Sequence, residues 1–144
     1  MIKIEYPDKK PVVRRNNDVD EVFCLIRKKW IKLNPEEWVR QNILLFLSEE
    51  LKYPISLIAV EKEILIGQLK KRFDILVYNR DMQPFLIIEC KEMNIKLTEG
   101  SIKQVLNYYS AIQCEYLIVT NGKDSIGYMK TDNNLMEIDQ FPEM

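Results

Sequence analysis

Apolar residues recur along this chain with two different periods, and the changes between them mark its elements. Val39, Ile43, Phe46 and Leu47 follow one another at helical spacing behind Asn34-Pro35-Glu36-Glu37. That opening reads as an N-cap, a proline at the first helical position and acids in the first turn. The spacing predicts a helix running to about Leu51, because Pro54 disfavours a helical Tyr53. A strand is expected over Ser56 to Glu63, then a turn near Gly67 and a basic turn at Lys70-Lys71-Arg72. Phe73 to Tyr78 and Phe85 to Lys91 read as two strands joined through Asn79 to Gln83, making a hairpin. Thr98 to Ile112 returns to helical period, with Ile102, Val105, Leu106, Tyr109 and Ile112 on one stripe and Ser101, Gln104 and Tyr108 on the opposite flank. Tyr116 to Thr120 reads as a strand closed by Asn121-Gly122, with short strands at Ser125 to Lys130 and Leu135 to Ile138. Before Asn34, Ile2 to Tyr6 and Pro11 to Arg14 are strand-like and Phe23 to Leu33 mixes apolar and basic residues, so strand and loop do not separate there.

This order of elements predicts an α/β fold, a mixed β-sheet flanked by helices. The 144 residues, 47% of them hydrophobic, suffice for one domain spanning residues 1 to 144 with a single core. A net charge of −1 leaves no global basic field, so any nucleic-acid surface has to be local. Histidine is absent, which excludes imidazole bases and His-bearing zinc sites. No phosphate-binding Gly-x-x-x-x-Gly-Lys-Ser/Thr loop and no dinucleotide-binding Gly-x-Gly-x-x-Gly turn occurs. Cys24, Cys90 and Cys114 are unpaired by spacing and fit free thiols in a reducing compartment. No leader-like segment opens the sequence and no apolar run reaches the roughly 18 residues of a membrane span, so a cytoplasmic protein without a membrane partner is expected.

The remaining chemistry belongs to carboxylates, lysines and an exogenous metal. Phe85-Leu86-Ile87-Ile88 is apolar throughout, as in a strand buried on both faces, and it ends in Glu89-Cys90-Lys91. Alternation puts Glu89 and Lys91 on one face and Cys90 on the other. With the hairpin centred between Asp81 and Met82, Asp74 falls opposite Glu89, Arg72 opposite Lys91 and Phe73 opposite Cys90. Two carboxylates about 5 Å apart at an effective dielectric of roughly 20 repel by about 3 kcal/mol, so the pair needs a counter-charge. Magnesium, or manganese in its place, meets that need and leaves positions for water and phosphate oxygens. Lys91 beside it is placed to orient the attacking water and to stabilise developing charge. The competing account is an ion-pair network in which Lys91 and Arg72 merely neutralise the two acids.

Arg72-Phe73-Asp74-Ile75-Leu76-Val77-Tyr78, Ile88-Glu89-Cys90-Lys91 and Gln104-x-x-x-Tyr108, in this order, resemble the PD-(D/E)xK nuclease pattern. They most resemble the N-terminal nuclease domain of type I restriction enzyme R subunits and its free-standing relatives. Pro35 to Gln41 and Tyr53-Pro54 are similar to that family's first helix and the turn after it, so the resemblance spans about residues 23 to 122. It implies a restriction-endonuclease-like core and metal-dependent hydrolysis of DNA phosphodiester bonds. Asp74 and Glu89 would hold the metal, with Glu37 from the first helix added to the shell, and Lys91 would be catalytic. Gln104 and Tyr108 would sit beside the site, contacting the DNA backbone or orienting the lysine. Lys70, Lys71 and Arg72, read from the residues alone, are either a solvated turn or, lying next to Asp74, a patch that holds a phosphate of the nucleic acid. DNA is the implied partner, with other restriction or defence subunits beside it.

Glu37 is equally well read as a capping-box residue, and Gln104 and Tyr108 as the solvated flank of an amphipathic helix. Trp30 and Trp38 read as core. The family's name has Pro-Asp where this chain has Phe73-Asp74, and without a phosphate-binding loop no motor activity is expected of it. A non-catalytic nucleic-acid-binding or assembly module with the same fold is the alternative, favoured by the near-neutral charge. A small-molecule metal hydrolase using the same carboxylates is a third.

Overall fold

In a computed structural model that describes residues 1–132 and 134–144, the chain forms two sheets and two principal helices. Strands β1 (Val13–Asn16), β2 (Val19–Cys24) and β3 (Lys29–Lys32) make an antiparallel meander in the stretch where sequence left strand and loop unresolved. Helix α1 (Pro35–Leu45) follows and runs on into a π-helical turn, Phe46–Glu50. A 3-10 turn, Ile55–Leu57, leads into β4 (Ile58–Ile66), β5 (Leu69–Tyr78) and β6 (Pro84–Cys90). Helix α2 (Glu99–Tyr109) then crosses to β7 (Tyr116–Thr120), β8 (Ser125–Lys130) and β9 (Leu135–Ile138). The order of the large sheet is β4-β5-β6-β7-β8-β9. Only β6 and β7 run parallel, and α2 is the crossover that such a pair requires. The sheet continues to Ile138 through the two short strands expected at Ser125 to Lys130 and Leu135 to Ile138, beyond residue 122, where the resemblance stopped.

Local chemistry fixes the ends of both helices. The Asn34 side chain accepts the Glu37 N–H at 2.7 Å, and Thr98 with Ser101 forms a reciprocal capping box. Val39, Ile43, Leu44, Phe46 and Leu47 bury against Ile75, Val77, Leu86 and Ile88 on one face of the sheet, where Cys24 and Ile31 of the meander join them. Phe73, Leu76, Ile87, Tyr109, Ile112 and Leu117 form the core of the other face, which α2 covers with Val105 and Leu106. Trp30 and Trp38 are half-buried at the margins of these cores, and Arg14 lies 4.2 Å over the Trp30 ring.

The β5–β6 hairpin keeps the expected register over Ile75↔Ile88, Leu76↔Ile87 and Val77↔Leu86, with a shift at Tyr78. Beyond Ile75 the two strands part. Residues 69–73 pair with β4 alone, whereas β6 stays on β7 and Lys91 donates its N–H to Thr120. The expected ladder pairs of Asp74 with Glu89, Arg72 with Lys91 and Phe73 with Cys90 are thus not formed, although the side chains of Asp74 and Glu89 stay close enough to bear on each other. Lys70, Lys71 and Arg72 also lie within β5 and not in a turn. The parting coincides with an irregularity in β4, where Glu61 has φ +53 and the ladder skips from Val60↔Ile75 to Lys62↔Phe73. A left-handed residue resets the alternation of side chains, so Phe73 shares a core with Leu76 although an odd spacing of three normally places residues on opposite faces.

Ile88 is fully buried in the central strand that delivers Glu89 to the site. Ile88→Ala is expected to lower stability by about 2 to 5 kcal/mol. Urea unfolding that shows a loss below 1 kcal/mol contradicts this packing.

Candidate metal and phosphodiester site

The fork between β5 and β6 is closed by one side chain. Asp74 Oδ2 accepts the Cys90 N–H at 2.8 Å, replacing the main-chain acceptor that a continued ladder would have offered, and Oδ1 accepts Arg40 Nη2 at 2.8 Å. Arg40 comes from α1 on one face of the sheet. Glu89 follows Ile87 by two residues and so shares its face, the one covered by α2. Asp74 sits where the two faces meet.

Glu89 is 7% exposed, and its Oε1 has no hydrogen-bond partner among the described residues. Burial first, and then the negative charge of Asp74, push its carboxyl up to about 8, with Lys71 and Lys91 acting in the opposite direction. Its buried position therefore favours the protonated form over the anion. Lys91 and Lys71 make no ion pair or hydrogen bond through their ammonium groups among the described residues. The pattern that sequence placed here is brought together in part: Asp74, Glu89 and Lys91 share one neighbourhood.

Glu37, expected in the metal shell, is oriented otherwise. Its carboxylate accepts Arg40 Nη1 at 2.6 Å, Arg27 Nη2 at 3.0 Å and Gln41 Nε2 at 3.0 Å. Its backbone N–H is capped by Asn34, but its side chain does not return to that cap, so it is a buried ion-pair residue and not a capping-box glutamate. The helix acid that senses the site is the neighbouring Glu36. Burial and then the charge of Asp74 raise its carboxyl, while Arg40 and Lys91 oppose the rise. No group of three or more acidic or thiol side chains converges as a closed metal cage among the described residues.

Sequence reasoning missed Arg27, Arg40 and Glu61. Arg27, in the turn after β2, bonds Glu37 and reaches Glu61 at 3.1 Å. Arg40 lies 3.6 Å from both Glu36 and Glu61 while it holds Glu37 and Asp74. The position of Arg40, three residues after Glu37 and four after Glu36, was the one available signal. Glu36, Glu37, Arg40 and Glu61, together with Glu92 and Ile95, line a cleft of about 400 Å³. Larger clefts of about 640 and 710 Å³ lie along the C-terminal segment, and neither is lined by Asp74 or Glu89. Cys90 is fully buried, and burial followed by the charge of Asp74 pushes its thiol well up, so it packs rather than reacts.

Gln104 is exposed on α2, one turn before Tyr108, and bonds no carboxylate among the described residues. Tyr108 lies under Lys71, whose Nζ is 4.9 Å from the ring centroid. Arg72 turns the other way and meets Glu63 at 3.3 Å, and Lys70 is exposed.

Two outcomes are expected of these charges. The folded-state carboxyl of Glu89 titrates higher than an unfolded one, so the native state binds the extra proton and stability falls as pH rises from about 4.5 towards 8. Glu89→Gln removes that slope and stabilises the protein at pH 8 by on the order of 1 to 3 kcal/mol, measured by denaturant titration across pH without divalent metal. Arg40→Met removes the cation paired with Asp74 and one of the two paired with Glu37, and is expected to cost about 3 to 5 kcal/mol in the same measurement at pH 7. A loss under 1 kcal/mol assigns the bridge to the surface class.

Among known proteins, no curated relative matches the chain at a significant level. The family model for the N terminus of type I restriction enzyme R proteins matches residues 35–142, from the first residue of α1 to beyond β9. The meander before α1 lies outside that match. With three quarters of its length inside the model, the chain belongs to the type I restriction enzyme R protein N-terminus family.

Proposed function

We propose that this protein is a PD-(D/E)xK-type, magnesium-dependent endonuclease domain that hydrolyses phosphodiester bonds in DNA. The observation that carries the reading is the carboxylate pair at the fork, where, among the described residues, Glu89 Oε1 has no partner and the two neighbouring lysines, Lys71 and Lys91, make no ion pair. A buried carboxylate without a partner costs several kcal/mol unless it is protonated or meets a cation. The donor set fits a divalent cation: magnesium takes one or two carboxylates and completes its shell with water and substrate phosphate, so a closed protein cage is not required.

Asp74 and Glu89 would hold the ion, which supplies a more acidic bound water and a Lewis acid for the phosphoryl oxygens. Each protein group has its own task. Arg40 and the Cys90 N–H fix the Asp74 carboxylate through one bond to each oxygen, leaving a lone pair on each directed elsewhere. Glu89 must release its proton to act as an anion, and the neighbouring Lys71 and Lys91 lower the cost of doing so. Lys91, at the end of the most buried strand, is positioned to stabilise negative charge that grows on the phosphate during attack, with its ammonium not committed to an acid. Glu36 lies at the mouth of the cleft, half-exposed, where it can accept a bond from a water molecule.

The Arg40 bridge favours a second reading. Because Asp74 already has a cationic partner, the fork is stable without metal, as in a module that keeps the fold to bind nucleic acid or other restriction subunits without cutting.

Millimolar magnesium or manganese is expected to raise the melting temperature, and Asp74→Asn to abolish the rise, because an ion that binds only the native state stabilises it by mass action. Plasmid nicking in magnesium is expected to fall by at least about 100-fold in Lys91→Ala with the fold retained, as for other preorganised electrostatic groups. Equal cleavage by Lys91→Ala removes its catalytic role. An inert wild-type chain with every cation gives the second reading precedence.

A further inference from the structure

The reset of alternation at Glu61 and Asp74 turns one basic residue of β5 inward. Lys71 precedes Phe73 by two residues and so shares its face, towards α2 and Glu89, whereas Arg72 points out to Glu63. Its ammonium lies 4.9 Å from the Tyr108 ring centroid and 6.0 Å from that of Phe73. It makes no hydrogen bond or ion pair among the described residues, although this face also carries Glu89.

A lysine that only screened Glu89 would gain most by closing a direct ion pair. An aromatic face acts differently: it attracts the cation without accepting a directed N–H bond, so all three ammonium donors stay available to a ligand. The ring also restricts a side chain whose rotamer freedom otherwise opposes binding. Lys91 follows Glu89 by two residues, and both lysines lie close enough to bear on its charge, so a phosphodiester arriving at the pair would meet two of them.

We propose that Lys71, held on the ring of Tyr108, is a second phosphate-binding residue of the site, gripping a non-bridging oxygen of the DNA backbone in addition to Lys91. This rests on the nuclease reading above and extends it in two respects. It distinguishes Lys71 from its neighbours Lys70 and Arg72, which sequence treated as one patch. It also gives Tyr108 a definite task, positioning a lysine of β5 rather than touching substrate itself. Charge alone does not supply this selectivity, since Arg72 sits one residue away with the same sign.

The test uses the whole chain and a fluorescent duplex of about 20 base pairs, followed by anisotropy from low to moderate salt in calcium, with gels confirming that the duplex stays intact. Manganese binding is measured separately by calorimetry, and thermal melting verifies that each variant is folded. Lys71→Met is expected to weaken duplex binding about fivefold and to lower the slope of log affinity against log salt by about 1, the value for one lost phosphate contact. Lys71→Arg restores most of the slope, Tyr108→Leu reproduces part of the loss, and Arg72→Met moves the slope by less than half as much. Manganese affinity stays at the wild-type value or rises in Lys71→Met. Equal slopes for wild type and Lys71→Met, or equal losses in Lys71→Met and Arg72→Met, overturn the proposal while the metal-site reading stands on its own titration. Wild type that binds manganese but no duplex overturns it in the same way. Wild type that binds neither overturns both.

Discussion

The structure turns on the carboxylate of Asp74. Strand β5 leaves β6 at Ile75, which would strand the Cys90 N–H at the most buried end of the sheet, and Asp74 Oδ2 takes that proton donor. An unsatisfied buried N–H costs about 1 to 3 kcal/mol, so this side chain holds the fork open without the penalty of a broken ladder. The same oxygen pair anchors Arg40, and through Arg40 the fork is tied to α1. A site that needs charged groups at the end of an apolar strand is made possible by this one substitution of side chain for main chain.

From Asp74 a chain of alternating charges runs outward: Arg40, Glu37, Arg27 and Glu61. Each member is held by at least one partner of opposite sign, as buried charges must be. Arg27 lies in the turn after β2, outside the residues that the family model matches, so the candidate site is supported partly from outside that match. Glu89 is the exception to the balance. Its unpartnered oxygen and raised carboxyl concentrate the uncompensated chemistry on the α2 face, where Lys71 and Lys91 are the nearby cations.

Much of the scaffold was legible in order. The bounds of β7, β8 and β9 follow the sequence reading residue for residue, because each is a short apolar or alternating run between turn signals. Helix α1 starts at Asn34-Pro35 because capping is local chemistry. The stripe of α2 faces the core as its period requires, and the hairpin register was fixed by the length of its turn. The meander was not legible, since β1 is exposed throughout and its alternation carries little burial signal.

The sequence by itself determined the elements, the central apolar strand ending in Glu89-Cys90-Lys91, and the approach of Asp74 to Glu89, all of which follow from local periodicity and one turn. Only the tertiary structure decided which charges meet. Around a single left-handed residue, Glu61, on a strand that sequence treated as regular, the alternation reverses, so that Lys71 and not Arg72 shares the face of Phe73, and the β5–β6 ladder ends at Ile75, next to Asp74. The rotation of α1 commits Glu37 to Arg27 and Arg40 and leaves Glu36 towards the site. Alternation and helical period are rules for regular backbone. Where two strands part, the position of each side chain is set by the partners its backbone loses and by the charges that arrive from other elements, and neither is encoded nearby in the chain.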